Sequence, residues 1–323
     1  MRRRVAAPTF LRNARIRRLR HHAGVGTWRS TGIEAPHQGL AQGVILIYEL
    51  VCVCAREAGI NRRRLLETVA VGVIAAASSG VAMAREVSPG ATFVLVHGAW
   101  HGGWCWSRVR PLLEASGARV TTPTLTGLGE RRHLIRREIN LKTHVADIVQ
   151  HIENEQLTNV VLVGHSYGGF PATLAATQLP GRVSQLVLLD AFFPHEGETI
   201  LLHAGPDIAN DYNAKAAASL DWNIPVLPAS VFGLVGEDAA WVDSRLTPHP
   251  IATYTQAAAY GGGGLPANRS FVLCKQSSVG AVLATSLDHV RADPDFNLVE
   301  IEAGHDVMVD NPQLLADTLL ALL

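Results

Sequence analysis

From Ala91 to the end of the chain, short apolar runs alternate with stretches of helical periodicity, and this alternation restricts the fold more than any other feature. Thr92–Val96 (TFVLV), Val160–Val163 (VVLV), Leu186–Leu189 (LVLL), Phe271–Cys274 (FVLC) and Leu298–Ile301 (LVEI) read as strands. Most are apolar on both faces, the pattern of a parallel sheet covered by helices on both sides. Between them, Val145, Ile148, Val149 and Ile152 fall at i, i+3, i+4 and i+7 on one helical face. Val109, Leu112 and Leu113 mark a helix ending near Gly117. Asn311-Pro312 supplies a cap and a first-turn proline for a last helix carrying Leu315, Leu319 and Leu322. Such alternation predicts an α/β fold with a mostly parallel, doubly wound sheet. It stops between Pro194 and Pro266, where a stretch rich in Pro, Trp, Ala and Asp reads as a helical insertion, about 194–266, that returns to the sheet.

Charge divides the chain. The sequence holds 28 Lys+Arg and 28 Asp+Glu, yet residues 1–84 carry 13 and 4 of them, and residues 85–323 carry 15 and 24. The part with the α/β pattern is therefore acidic, which argues against nucleic acid as a partner. Upstream, Arg62, Arg63 and Arg64 precede Leu65-Leu66 and an uncharged, Ala-rich run from Thr68 to Ala84 that ends in Ala82-Met83-Ala84. This is the layout of a cleavable export segment, 61–84, similar to a twin-arginine signal. The run is short of the roughly 20 strongly apolar residues of a spanning helix. An exported, periplasmic or secreted domain of residues 85–323 is expected, with no stable membrane insertion after signal removal; if the signal is not used, the protein stays cytoplasmic. Residues 1–60 are expected to be a non-native or disordered extension. Cys52, Cys54, Cys105 and Cys274 lack metal-site spacing, so no metal is expected, and Cys105 and Cys274 read as core thiols.

Ligands of this architecture meet the carboxyl ends of the strands. After VVLV comes Gly164-His165-Ser166-Tyr167-Gly168-Gly169, a GxSxG pattern between an apolar strand and the helix-forming Phe170–Ala176. The glycines permit the tight strand-to-helix turn that lifts a serine hydroxyl into the cleft. A nucleophilic serine needs a base from another loop. Among 14 histidines, His305 follows the last apolar strand and precedes the last helix, whereas His165 reads as a neighbour oriented by the turn. The loop after the first strand, VHGAWHGGWCW (Val96 to Trp106), is built of small residues that let backbone amides face the cleft. An oxyanion hole is expected from the amides of Ala99 and Tyr167, with Trp100 and Trp104 anchoring the loop.

The runs FVLVHGAWHGGWCW, TPTLTGLGER (Thr122 to Arg131), NVVLVGHSYGG and GHDVMV together resemble α/β-hydrolases, in the branch of plant methyl esterases, hydroxynitrile lyases and their bacterial esterase relatives. The resemblance covers roughly residues 91–323. It implies an α/β-hydrolase fold with a small helical cap, and a serine hydrolase that needs no cofactor. WVDSRLTPHP (Trp241 to Pro250) also looks like the cap of the bacterial members. Hydroxynitrile lyases of this branch carry a Thr and a Lys where this chain has Gly98 and Asp306. Departing cyanide needs a nearby cation, so lyase activity is not expected. Plant members place the triad acid after the strand equivalent to Phe271–Cys274, but here that loop, Lys275 to Gly280, has no carboxylate. Either the triad is broken or the acid comes from elsewhere.

Asp190 is the candidate acid, since it directly follows LVLL and adjacent parallel strands lie about 4.8 Å apart. Asp288 and Asp293 fall in or after an outer helix, and Asp306 sits beside the base; Asp190 could also simply cap the chain entering the insertion. The expected function is hydrolysis of small, fairly apolar carboxylic esters through an acyl-enzyme, by Ser166, His305 and Asp190. Trp222, Val226, Leu227, Val231, Phe232 and Trp241 are candidate pocket walls. The competing possibility is a non-catalytic small-molecule receptor or carrier on the same fold, favoured by the missing loop carboxylate.

Overall fold

A computed structural model describes residues 91–323. The expected extension, 1–60, and the expected export segment, 61–84, lie outside the described residues.

Six parallel strands make one sheet in the order β2-β1-β3-β4-β7-β8. They are β1 (Thr92–Val96), β2 (Arg119–Thr121), β3 (Val160–His165), β4 (Val183–Leu189), β7 (Asn268–Cys274) and β8 (Phe296–Ile301). Every residue of β1 and β3 is buried, as their two-faced apolar composition requires. The apolar runs are the buried cores of strands that extend further: β4 begins three residues before Leu186, and β7 three before Phe271. β2 has no apolar run to announce it, because its three residues alternate and Arg119 is exposed.

Helices cover the sheet. α1 (Arg110–Ala115) ends before Gly117. α2 (Leu141–Asn154) opens on a capping box, with the Asn140 side chain accepting from the Thr143 amide, and buries Val145, Ile148, Val149 and Ile152. α3 (Gly169–Gln178) is apolar all round and buried along nearly its whole length. Between β4 and β7 the chain leaves the sheet and forms α4 (Ile200–Ala204), α5 (Pro206–Ala218), α6 (Gly236–Asp243) and α7 (Ala252–Thr255). This insertion is not purely helical, because β5 (Asn223–Ile224) and β6 (His249–Pro250) pair antiparallel within it. α8 (Ala284–Ala292), α9 (Val307–Asp310) and α10 (Pro312–Ala321) complete the domain. Asn311 caps α10 by accepting from the Leu314 amide at 3.3 Å; Leu322 falls just past its end. Among the described residues no helix is long and apolar enough to cross a membrane.

Candidate active site

Three non-glycine residues at the carboxyl ends of β1, β3 and β4 have left-handed backbones: Trp100 at φ 63°, Ser166 at φ 52° and Asp190 at φ 42°. Such conformations cost on the order of 1–3 kcal/mol each and persist where the surrounding structure enforces them. For Ser166 the cause is the abrupt passage from β3 through one 3₁₀ turn, Ser166–Gly168, into α3. The turn packs on the end of β1 so closely that a Cβ at Gly168 would stand 2.6 Å from the His97 carbonyl oxygen. The Phe192 amide donates to the Ser166 carbonyl at 3.0 Å, tying the turn to the segment after β4. Ser166 itself keeps partial exposure amid buried neighbours.

Asp190 is fully buried. Its amide donates to Val272 O at 2.8 Å, and its Oδ1 accepts from the Cys274 amide at 3.3 Å. Oδ2 accepts from Nδ1 of His305 at 2.6 Å. A carboxylate can only accept, so His305 carries its proton on Nδ1 and leaves Nε2 basic. The structure thus brings Asp190 and His305 together across 115 residues of chain, and both His305 and Ser166 border one cavity. Asp288 is exposed on α8, and Asp293 pairs with Arg269 at 3.0 Å.

The first loop is held by histidines. His97 donates from Nδ1 to Gly98 O at 2.8 Å and accepts the Leu125 amide at Nε2, 3.1 Å away. Both contacts suit a neutral ring, and burial lowers its pKa to about 3. The Gly98 carbonyl belongs to the peptide that carries the Ala99 N–H, so His97 sets the orientation of that amide. Gly98 packs tightly on the serine turn, since a Cβ there would lie 3.0 Å from the Cβ of Ser166. Ala99 and Tyr167, whose amides are the expected oxyanion donors, are both buried. The Tyr167 hydroxyl donates to Nδ1 of His144 at 2.7 Å, and His144 donates from Nε2 to Thr126 O at 2.9 Å.

Asp306 does not face the cavity. His101 donates from Nδ1 to Ala99 O at 2.7 Å and from Nε2 to Asp306 Oδ2 at 3.2 Å. Both partners only accept, so this ring holds two protons and a positive charge. Burial alone would lower the His101 pKa, but the facing Asp306 carboxylate outweighs burial and raises it. Burial alone would raise Asp306; the His101 cation outweighs it and holds the carboxyl at about 2. His165 is buried, and its ring donates from Nε2 to the His305 carbonyl at 3.1 Å. Burial, then the neighbouring His305, lowers its pKa well below the usual imidazole value. His165, His305 and Asp306 offer ligand atoms within 4.8 Å of one another; His165 Nε2 donates to the His305 carbonyl, His305 Nδ1 donates to Asp190, and Asp306 Oδ2 accepts from His101.

The cavity, about 150 Å³, is lined mainly by apolar and aromatic side chains. Of the six expected wall residues, Leu227, Val231 and Phe232 line it. Trp222, Val226 and Trp241 do not. Trp222 lies under the Arg137 guanidinium, 3.8 Å from the ring centroid; Val226 is 38% exposed; Trp241 packs on Trp104 and carries Arg108 and Arg245 over its ring. Sequence inspection missed Trp100, Phe192, Tyr212, Tyr254, Val282 and Leu283, which also line the cavity. Trp100 anchors its loop as expected and also walls the cavity. Cys105 and Cys274 are buried free thiols; burial raises the pKa of both.

Residues 93–318 match the alpha/beta hydrolase family. The carbendazim hydrolyzing esterase of Nocardioides sp. (strain SG-4G) is 37% identical over 240 residues, 72% of this chain and 99% of that protein. Methylesterase 9 of Arabidopsis thaliana is 41% identical over 103 residues, 32% of this chain and 40% of its own length. Among solved structures, an extracellular alpha/beta-hydrolase from a Paenibacillus species superposes with a TM-score of 0.63 at 20% identity, covering 72% of this chain and 98% of that one. The chain belongs to the alpha/beta hydrolase family, in its plant methylesterase-like branch. Within that family it is a carboxylic-ester hydrolase.

Proposed function

We propose that this carboxylic-ester hydrolase cleaves small, fairly apolar esters through an acyl-enzyme formed on Ser166. Ser166 Oγ attacks the ester carbonyl while Nε2 of His305 takes its proton. Asp190 holds the Nδ1–H tautomer and stabilises the imidazolium that forms. The amides of Ala99 and Tyr167 receive the oxyanion. His305 then protonates the departing alcohol, and a water activated by the same nitrogen releases the acid. The observation that carries the proposal is the 2.6 Å contact between Asp190 and His305, with His305 and Ser166 on the same apolar cavity. That contact supports the enzyme over a non-catalytic receptor, the reading favoured by the lack of a carboxylate after β7. A cavity of about 150 Å³ is the size that accommodates a benzene-like group, which favours short acyl or single-ring groups over long chains.

Covalent labelling by a fluorophosphonate, together with hydrolysis of short p-nitrophenyl esters, tests this. Both are expected in the wild type and neither in Ser166→Ala; labelling that survives the substitution refutes the role of Ser166. Export through the twin-arginine-like segment is proposed from the sequence alone, with a mature chain starting near Arg85. N-terminal sequencing of protein from the native cell tests it, and a mature chain retaining residues 1–60 refutes it.

A further inference from the structure

Where the chain leaves β4, it meets α8 and gathers side chains that ester hydrolysis does not use. His195 and Glu198 stand just before α4, and His289 lies on α8; none of the three borders the ester cavity. Glu198 Oε2 accepts from the His195 amide at 2.7 Å and from Nε2–H of His203 at 2.9 Å. His203 in turn lies with Nδ1 2.8 Å from Ser286 Oγ, which also accepts the Phe193 amide. One carboxylate oxygen is thus held rigidly and the other, Oε1, is turned to Nε2 of His289, 3.6 Å away. That is too long for a hydrogen bond.

Nδ1 of His289 is 3.4 Å from the Phe193 carbonyl, which can only accept, so Nε2 is the nitrogen turned to Glu198. His195 stacks on His289 with centroids 3.7 Å apart and planes 10° apart, which sets a second imidazole beside the same carboxylate. A single shared cation satisfies all three groups: one ligand atom each from His195, Glu198 and His289 lies within 4.8 Å of the other two.

We propose that His195, Glu198 and His289 bind one divalent cation of the zinc class. Two imidazole nitrogens and one carboxylate oxygen suit zinc, cobalt or nickel rather than magnesium or calcium, which prefer oxygen throughout. The 3.6 Å between Oε1 and Nε2 is near the roughly 3.4 Å edge of a tetrahedron with bonds of about 2.05 Å. The contacts of His289 Nδ1 with a carbonyl and of Glu198 with two N–H donors are the kind of outer-shell partners that orient metal ligands. His195 is exposed, so it can swing to close the site, and solvent fills the fourth position. The ion would staple the start of the cap insertion to α8, immediately after Val282 and Leu283 on the cavity wall. Its effect is on stability, with no part in the ester chemistry.

The test is calorimetric titration of chelator-treated full-length chain with Zn²⁺, with the visible spectrum of the Co²⁺ form recorded in parallel. A site of unit stoichiometry is expected, with the d–d bands of tetrahedral cobalt. His195→Ala and His289→Ala should each weaken binding at least about tenfold. At a hundredfold excess of Zn²⁺ over Kd, the wild type should melt about 5 °C higher than the metal-free chain, with p-nitrophenyl ester turnover unchanged. His195 is on the surface, so its variant folds whatever the role of the ring. Equal affinity in the wild type and both variants overturns the proposal by placing the ion elsewhere, and so does the lack of binding at millimolar Zn²⁺.

Discussion

Replacing Asp190 by Asn changes one atom in a fully buried position and isolates what the carboxylate does. In the native site Oδ1 accepts the Cys274 amide and Oδ2 accepts His305 Nδ1–H. An asparagine keeps the first bond only by placing its oxygen toward Cys274, which turns its NH₂ toward His305. Nδ1 must then accept, and the proton moves to Nε2, where it abolishes the base. The alternative flip keeps the tautomer but sets two N–H donors, that of Cys274 and the new amide, against each other in a buried site. Either arrangement penalises turnover. The serine-protease template puts the wrong-tautomer penalty near 10⁴ in turnover, about 5 kcal/mol at 1.36 kcal/mol per decade. A loss of about 10²–10⁴ in kcat with KM little changed is expected on p-nitrophenyl acetate, since the pocket walls are untouched. Circular dichroism and thermal melting establish that the variant folds. Near-native kcat in folded Asp190→Asn, with an inactive Asp288→Asn, would refute the assignment.

Three other outcomes follow from the geometry. Ser166→Gly should abolish turnover yet melt about 2 °C higher, because glycine relieves the left-handed backbone at φ 52°; a lower melting temperature contradicts the strain. Leu227→Ala removes a partly exposed wall residue of the cavity, so kcat/KM for the butyrate ester relative to the acetate should rise about tenfold, and an unchanged ratio removes Leu227 from the acyl pocket. Asp306→Asn strips the counter-ion from His101 and should cost about 3 kcal/mol, roughly 6–12 °C in melting temperature. The raised pKa of His101 makes its contribution complete below 6.5 and lost as pH rises through the folded value; the depressed pKa of Asp306 makes its contribution complete above 3.8 and lost toward about 2. The gap between wild type and variant, read from melting curves against pH, should therefore be widest between 3.8 and 6.5.

The central strands were legible because burial on both faces leaves an uninterrupted apolar run, and looking at strand ends led to Asp190 and His305, whose side chains meet at 2.6 Å, and to Ser166, which borders the same cavity as His305. β2 was not legible, since three residues with an exposed Arg119 leave no periodicity to detect. Most of the pocket wall was missed for a different reason. Tryptophans and valines in a cap look alike in sequence whether they face the cavity or the surface. Trp241 goes outward because two arginines stack on it, and those contacts depend on the tertiary path. Tyr254 and Trp100 go inward, and Trp100 does so through a left-handed backbone that composition does not foretell. The His101–Asp306 pair spans 205 residues, beyond the reach of any local pattern.

That pair also changes how charge works in the site. From sequence, Asp306 stands out as an anion where lyases of this branch carry a lysine, as though its charge faced the substrate. In the fold its charge is turned away and neutralised by His101, whose other nitrogen holds the Ala99 carbonyl. The position thus ties the loop after β1 to the loop that carries His305, and no mobile cation is left there to meet a departing anion. Hydrogen-bond accounting then offers a criterion for the base that is independent of chain order. His97, His101, His144 and His249 each have both ring nitrogens engaged. His165 has its Nδ1 covered by Gly98, where a Cβ would stand 3.0 Å away. His305 borders the cavity with Nδ1 committed to Asp190 and Nε2 left to accept a proton. A neutral ring with both nitrogens already bonded has no room for a proton from serine. Among these six histidines, the one that combines an unbonded ring nitrogen with a place on the cavity wall is His305.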